Sequence, residues 1–120
     1  MKKCIYVVED NINIREIIEF LLVEEMYDVI TCPNTRSFWQ QMNKHLPDMV
    51  VLDVMLPDGN GVEICSKLKQ NAKTHQIPVM MMSAGNNLYK IKAKCSAEDF
   101  INKPFDLNDF ANRIERYVAN

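Results

Sequence analysis

The chain has 120 residues, 48% of them hydrophobic, and its formal net charge is −2. This length predicts one domain over residues 1–120, with enough apolar residues to bury a core without disulfides or a structural metal. The weakly acidic balance argues against a nucleic-acid-binding protein, and no apolar run approaches the roughly 20 residues that a membrane-spanning helix needs.

The first half of the chain alternates strand-like segments with helix-like segments. The predicted elements are a strand over Ile5–Val8, a helix with apolar residues at helical spacing from Ile14 to Leu22, a strand over Val29–Cys32 and a helix over Ser37–Lys44. Residues 11–13 offer an N-cap for the first helix. Either Asn34 or Thr35 can cap the second helix.

The second half continues this alternation. Its predicted strands are the mostly apolar segments Met49–Val54, Pro78–Ser83 and Asp99–Asn102. Its predicted helices cover Val62–Leu68, a short polar stretch between Asn87 and Cys95, and a last segment from Leu107 to Val118 with Asp106 as its cap. The residues 55–61 are dense in turn formers and are expected to form a loop. Because the segment Met49–Val54 is apolar on both faces, we expect it at the centre of a parallel sheet.

Five strands that alternate with five helices predict an α/β fold of the doubly wound, flavodoxin-like type. Right-handed crossovers leave few strand orders, and we expect a five-stranded parallel sheet in the order 2-1-3-4-5. In such sheets, ligands bind beyond the carboxyl ends of the strands, near the switch point between strands 1 and 3. The residues that end each strand therefore indicate the chemistry of the site.

Polar residues end every strand that is expected to reach this switch point. They are Glu9 and Asp10 after strand 1, Asp53 at the end of strand 3, Ser83 at the end of strand 4 and Lys103 after strand 5. Strand 2, which is an edge strand in this order, ends in the chemically silent pair Cys32-Pro33.

Three carboxylates that converge on one point repel one another. Two unit charges ~5 Å apart cost about 3 kcal/mol at an effective dielectric constant of ~20. Lys103 supplies one positive charge, and a divalent cation would bring the site to formal neutrality. Because all the candidate ligands are oxygens, Mg²⁺ or Mn²⁺ is the expected ion.

Four segments around these residues together resemble response regulator receiver domains of two-component signal transduction. They are VVEDN at 7–11, VLDVMLPDGNG at 51–61, MSA at 82–84 and FINKPF at 100–105. The resemblance covers the whole chain. It implies a phosphoacceptor signalling domain, not an enzyme, which assists only its own phosphorylation and dephosphorylation.

The resemblance also implies roles for the residues of the acidic site. Asp53 would accept a phosphoryl group from the phosphohistidine of a histidine kinase. The metal ligands would be the side chains of Glu9, Asp10 and Asp53 and the backbone carbonyl of Met55. Lys103 would bind a phosphoryl oxygen.

The same resemblance implies a switch that follows phosphorylation. The hydroxyl of Ser83 would bind a phosphoryl oxygen, and the ring of Phe100 would change rotamer with activation. This switch would alter a protein-interaction surface. The peptide bond before Pro104 would be cis.

The sequence departs from the pattern of the family at two positions and in one segment. Glu9 replaces the commoner aspartate, so a longer arm or a water molecule would hold the metal. Phe100 is often tyrosine in the family, and without the hydroxyl we expect packing alone to hold its ring inward. The segment 86–97 is short for the fourth helix of the family.

The expected partners are a sensor histidine kinase or phosphotransfer protein and an unidentified downstream protein, with no direct binding to nucleic acid or membrane. The four cysteines, Cys4, Cys32, Cys65 and Cys95, lack the spacing of a metal site or a C-x-x-C pair. We therefore expect free thiols and a cytoplasmic protein. Whether the chain is a stand-alone regulator or one domain of a longer protein stays open.

Three other functions share parts of this pattern, but the last two each lack a feature that they require. A pseudo-receiver would share the fold and bind partners without phosphorylation. A haloacid dehalogenase-type phosphohydrolase would need an acid two positions after the nucleophile, where this chain has Met55. A flavodoxin-like electron carrier would need a phosphate-binding loop after strand 1, where Glu9 and Asp10 would repel the flavin phosphate.

Overall fold

Five parallel strands form one sheet in the computed structural model, which describes residues 2–85 and 88–119. In chain order the elements are β1 (Cys4–Val8), α1 (Ile12–Glu24), β2 (Asp28–Cys32), α2 (Thr35–Met42), β3 (Met49–Asp53), β4 (Met55–Leu56), β5 (Gly59–Asn60), α3 (Gly61–Gln70), β6 (Val79–Ala84), α4 (Leu88–Lys92), β7 (Asp99–Lys103) and α5 (Leu107–Val118). The sheet has the order β2-β1-β3-β6-β7. Without the short strands β4 and β5 this is 2-1-3-4-5, so the predicted doubly wound fold is confirmed.

Helices cover both faces of the sheet, and successive strand residues alternate between the two cores that result. In β3, Met49 and Val51 pack with apolar residues of α1 and α5, whereas Val50 and Leu52 pack with apolar residues of α2 and α3. Every residue of β3 is buried. The central position predicted from its apolar run is therefore confirmed.

Side-chain caps fix where three of the helices begin. Asn11, Asn34 and Asp106 each accept a hydrogen bond from the amide three residues later, at 3.1, 2.8 and 2.9 Å. These bonds satisfy amides that have no partner within the helix. The predicted Asp106 cap is confirmed, and Asn34 rather than Thr35 caps α2.

The loop 55–61 is more regular than predicted. Strands β4 and β5 form a small antiparallel hairpin, with Met55 opposite Asn60 and Leu56 opposite Gly59. Two-residue strands are too short to leave a periodic pattern in a sequence, which is why only turn residues were evident there. The hairpin lies directly after Asp53, at the carboxyl edge of the sheet.

The fourth helix ends earlier than predicted. It stops at Lys92, and the amides of Lys94 and Cys95 both donate to the carbonyl of Ile91, which forms a tight terminal turn. Its predicted start at Asn87 lies outside the described residues. Among the helices of the described residues, none has the length and apolar character that crossing a membrane requires.

Candidate functional site

The carboxyl edge of the sheet forms a cleft of about 1040 Å³. The polar residues that end the strands all line this cleft: Glu9, Asp10, Asp53, Ser83 and Lys103. Main-chain hydrogen bonding extends into the edge, since the amide of Glu9 donates to the carbonyl of Cys32 at 3.0 Å. Because parallel strands all end at the same edge, residues that are far apart in the sequence meet here.

Three carboxylates form the acidic part of the cleft. One oxygen each from Glu9, Asp10 and Asp53 lies within 4.8 Å of the other two. The side chain of Glu9 is fully buried and Asp53 is only 6% exposed, whereas Asp10 is exposed. Buried like charges at this separation destabilise the metal-free fold.

Lys103 is the cation of this cluster. Its Nζ lies 2.5 Å from Glu9 Oε1 and 3.1 Å from Asp53 Oδ2. Three negative charges against one positive charge leave the cluster with a formal charge of −2. The contacts of Lys103 thus connect the two buried acids without neutralising the site.

The protonation of the buried pair follows from these contacts. Burial raises the pKa of Glu9, while Lys103 and the amide of Asn11 oppose that increase. Burial would lower the pKa of Lys103, but its contacts with Glu9 and Asp53 outweigh burial and raise it. Lys103 therefore remains an ammonium ion over the physiological range.

The metal ligands that the cleft offers fit a hard divalent cation. The side chains of Glu9, Asp10 and Asp53 supply carboxylate oxygens, which are the ligands that Mg²⁺ prefers. Glu9 Oε2 accepts from the amide of Asn11 at 3.1 Å, but the buried Oε1 accepts no well-aligned hydrogen bond despite its contact with Lys103. A buried carboxylate oxygen in this state has a free lone pair for a cation.

Ser83 and Met55 border the cleft from two different strands. Ser83 is 3% exposed, and its hydroxyl donates weakly to the carbonyl of Ala84 at 3.3 Å. The side chain of Met55, in contrast, is 79% exposed.

Gly61 lies beneath Asp53 so closely that a Cβ there would stand 2.1 Å from the Asp53 carbonyl oxygen. Only glycine fits at this position without a shift of the loop.

Phe100 does not line the cleft. It lies on β7 and is 8% exposed, and it packs in the core shared with α2 and α3. Lys92 Nζ lies 5.7 Å from the centre of its ring. The expectation that packing alone holds the ring inward was therefore incomplete, because a cation–π contact adds to it. The bond between Lys103 and Pro104 is cis, as the resemblance implied.

Arg15 supports the acidic loop in a way that the sequence did not indicate. Its Nη1 donates to the carbonyl of Glu9 at 2.9 Å and to that of Asp10 at 3.4 Å. Helical periodicity assigns Arg15 to the outer face of α1, and no pattern shows that a long side chain turns back toward the preceding loop. The guanidinium fixes the backbone from which two of the acids project.

Comparisons with known proteins point to one family. The family described as the response regulator receiver domain matches residues 5–115. The phosphate regulon transcriptional regulatory protein PhoB of Escherichia coli is 34% identical over 117 residues, which are 96% of this chain and 51% of PhoB. Histidine kinase P4 of Formosa agariphila is 32% identical over 121 residues, which cover 99% of this chain and 9% of that protein.

A solved structure has a similar extent. The crystal structure of a putative response regulator from Chloroflexus aurantiacus superimposes with a TM-score of 0.92 at 25% sequence identity, and the match covers 100% of both chains. The chain therefore equals this solved structure in extent, but spans about half the length of PhoB and a small part of the kinase.

Proposed function

Because the chain belongs to the response regulator receiver domain family, we propose that Asp53 accepts a phosphoryl group from the phosphohistidine of a histidine kinase or phosphotransfer protein. The observation that carries this proposal is the position of Lys103, whose Nζ contacts both Glu9 Oε1 and Asp53 Oδ2 within a cluster of three acids. A nearly buried carboxylate beside a fixed cation is suited to attack phosphorus, because phosphoryl transfer depends mainly on positioning and on charge neutralisation.

Four residues in or beside the cleft have roles in this reaction. An oxygen of Asp53 attacks the phosphorus of the donor, and the bond between that phosphorus and the donor histidine breaks. The ammonium of Lys103 and the hydroxyl of Ser83 donate hydrogen bonds to the phosphoryl oxygens. Arg15 holds the loop that carries the two metal-binding acids.

A divalent cation is part of the proposal. Glu9, Asp10, Asp53 and the backbone carbonyl of Met55 would hold Mg²⁺ or Mn²⁺, and the convergence of three carboxylates around one lysine supports this assignment. When bound, the ion supplies the positive charge that the acids and the transferring phosphoryl group require. The chain assists only its own phosphorylation and dephosphorylation, as a signalling domain rather than an enzyme.

The output is a change of protein-interaction surface. A hydrogen bond from the hydroxyl of Ser83 to the phosphoryl group would shift the end of β6. The buried ring of Phe100 on the neighbouring strand would then take a second rotamer. The activated surface would bind a downstream protein rather than nucleic acid. We propose that residues 1–120 act as one domain in this exchange.

The test is phosphorylation by a small donor. With Mg²⁺ and acetyl phosphate, the wild-type chain should gain one phosphoryl group that is stable in acid and labile in base, as measured by intact mass. Asp53→Asn should gain none. Asp28→Asn, which alters an exposed aspartate at the opposite end of the sheet, should be labelled like the wild type.

The outcomes separate the proposal from its alternatives. Equal labelling of the Asp53→Asn variant would show that Asp53 is not the acceptor. A wild-type chain that gains no phosphoryl group, either from acetyl phosphate or from a phosphorylated histidine kinase, would favour the pseudo-receiver interpretation.

A further inference from the structure

The tip of the hairpin formed by β4 and β5 contacts the N-terminus of α2. Asp58 lies in the turn of this hairpin, and its Oδ1 accepts from the amide of Thr35 at 2.8 Å. Its Oδ2 accepts from the amide of Arg36 at 3.1 Å. The approach is close, since a Cβ at Gly59 would stand 3.0 Å from the Thr35 methyl group.

These two hydrogen bonds complete the first turn of α2. The first amides of a helix have no acceptor within the helix. The side chain of Asn34 accepts from Ser37 at 2.8 Å, which leaves Thr35 and Arg36 to find acceptors elsewhere. Asp58 supplies both acceptors and places a negative charge at the positive end of the helix dipole. The bond from the Thr35 amide, with smaller help from Arg36, lowers the pKa of Asp58.

The other end of the same hairpin carries Met55. Strand β4 begins at Met55, two residues after Asp53, and Met55 pairs with Asn60 across the hairpin. The amide of Gly61 closes the base by donating to the carbonyl of Val54 at 2.7 Å. Two-residue strands have little stability of their own, so contacts at the tip contribute to the position of the whole hairpin.

We propose that Asp58 is a positioning residue for the metal site. It anchors the hairpin to α2 and thereby holds the backbone carbonyl of Met55 where that carbonyl can act as a metal ligand. The inference rests on the proposed function, because the Met55 carbonyl is a ligand only if the cleft binds the ion. Residues that orient a ligand from outside the coordination shell typically affect metal affinity by about 10- to 100-fold when they are removed.

The coupling must act in both directions. If the anchor favours metal binding, metal binding favours the anchored hairpin by the same free energy. Mg²⁺ should therefore slow hydrogen exchange at the amides of Thr35 and Arg36, which lie on α2, whereas the proposed metal ligands lie on strands or in the loop after β1.

The test compares two caps of the same helix. Mg²⁺ affinity is measured by calorimetry on the unphosphorylated chain for the wild type, Asp58→Ala, Asp58→Asn and Asn34→Ala. Asp58→Ala should weaken Mg²⁺ affinity by about tenfold, and Asp58→Asn should weaken it less, because one acceptor oxygen remains. Asn34→Ala removes the other cap of α2 without touching the hairpin, so it should lower stability to urea but leave Mg²⁺ affinity unchanged.

Each other outcome overturns the inference in a recognisable way. Equal loss of Mg²⁺ affinity in Asp58→Ala and Asn34→Ala would assign the effect to helix stability instead of the hairpin. Unchanged affinity in Asp58→Ala, or unchanged exchange at Thr35 and Arg36 when Mg²⁺ is added to the wild type, would remove the positioning role while leaving the proposed function intact. A wild-type chain that does not bind Mg²⁺ would overturn both.

Discussion

Two lysine–carboxylate clusters lie at opposite ends of the sheet, and they differ in how completely their charges are satisfied. At the amino end, Lys69 Nζ donates to the carbonyls of His75 and Ile77 at 3.2 and 2.8 Å and to Glu98 Oε2 at 2.8 Å. Glu98 Oε1 accepts from the amide of Val79 at 2.8 Å. One cation faces one anion, and the polar atoms of both have partners.

The cluster at the carboxyl end lacks this balance. Lys103 faces two buried acids with Asp10 nearby, and Glu9 Oε1 accepts no well-aligned hydrogen bond. Native proteins rarely leave buried polar atoms unsatisfied unless a site has a function. The two clusters thus show that a pair of opposite charges in this fold can be structural. The cluster at the carboxyl end differs in its excess of negative charge and in a buried oxygen whose contact with Lys103 is not a well-aligned hydrogen bond.

The largest expected effect on stability is at the amino end. Lys69→Met removes the donor shared by two carbonyls and Glu98, so it should lower the free energy of unfolding by about 2 kcal/mol. Urea denaturation without Mg²⁺ measures this change. Phosphorylation by acetyl phosphate should continue at the wild-type rate, because the acidic cleft is at the other end of the sheet.

The control for this variant is Lys67→Met, which changes an exposed lysine on the same helix and should be nearly neutral. Equal stability of the Lys67 and Lys69 variants would mean that the amino-end cluster does not stabilise the fold. It could then not be called a structural ion pair in contrast to the acidic cleft.

A smaller effect of opposite sign is expected at the carboxyl end. Asp10→Asn removes one of three like charges, so without metal it should raise the free energy of unfolding by about 0.5 kcal/mol, a value that allows for solvent screening of this exposed side chain. Mg²⁺ should then stabilise the variant less than the wild type, because one ligand charge is lost.

Urea denaturation with and without MgCl₂ measures both parts of this prediction. Asp28→Asn, an exposed aspartate outside the cluster, should change neither value. If Asp10→Asn instead lowers the free energy of unfolding of the metal-free chain, repulsion among the three acids does not destabilise the fold. The charges of the cleft would then be as well compensated as those of the pair at the amino end.

The residues of the cleft could be predicted from the sequence because, in a parallel sheet, the order of the strands determines which strand ends lie next to one another. Once five parallel strands are assigned, the residues that end them must meet at one edge, and the structure places Glu9, Asp53, Ser83 and Lys103 there. The side-chain periods that reveal strands and helices also locate the two cores, since alternate residues of β3 face opposite sides.

Contacts between a side chain and a distant backbone group could not be predicted in this way. Arg15 has the spacing of a solvent-facing helix residue, yet it binds the carbonyl of Glu9. Asp58 is one polar residue in a turn-rich loop, yet it accepts hydrogen bonds from amides more than twenty residues earlier in the chain. Periodicity records which face of an element is apolar, but it contains no information on where a long or charged side chain finds its partner.

Neutralising Asp58 should have the smallest effect on stability of the three variants. It also tests most directly whether hydrogen bonding to a carboxylate explains the difference between the two clusters. Asp58 lies in the turn of the hairpin that follows Asp53 but, like Glu98, it accepts well-formed hydrogen bonds from backbone amides. If the hydrogen bonds of a carboxylate, rather than its place in the fold, decide whether it stabilises the chain, neutralising Asp58 should lower the free energy of unfolding, whereas neutralising Asp10 should raise it.

The amide donors hold the folded-state pKa of Asp58 below its ordinary value of 3.8. A lowered pKa means that the stabilising contribution is complete above the unfolded-state value and is lost as the pH falls through the folded-state value. The stability difference between the wild type and Asp58→Asn should therefore be constant near neutral pH and shrink below about pH 4. Urea midpoints measured for both proteins across this range, without Mg²⁺, provide the test. A difference that keeps its size in acid would mean that the charge of Asp58 is irrelevant, and a variant more stable than the wild type at neutral pH would place Asp58 with the repelling acids of the cleft.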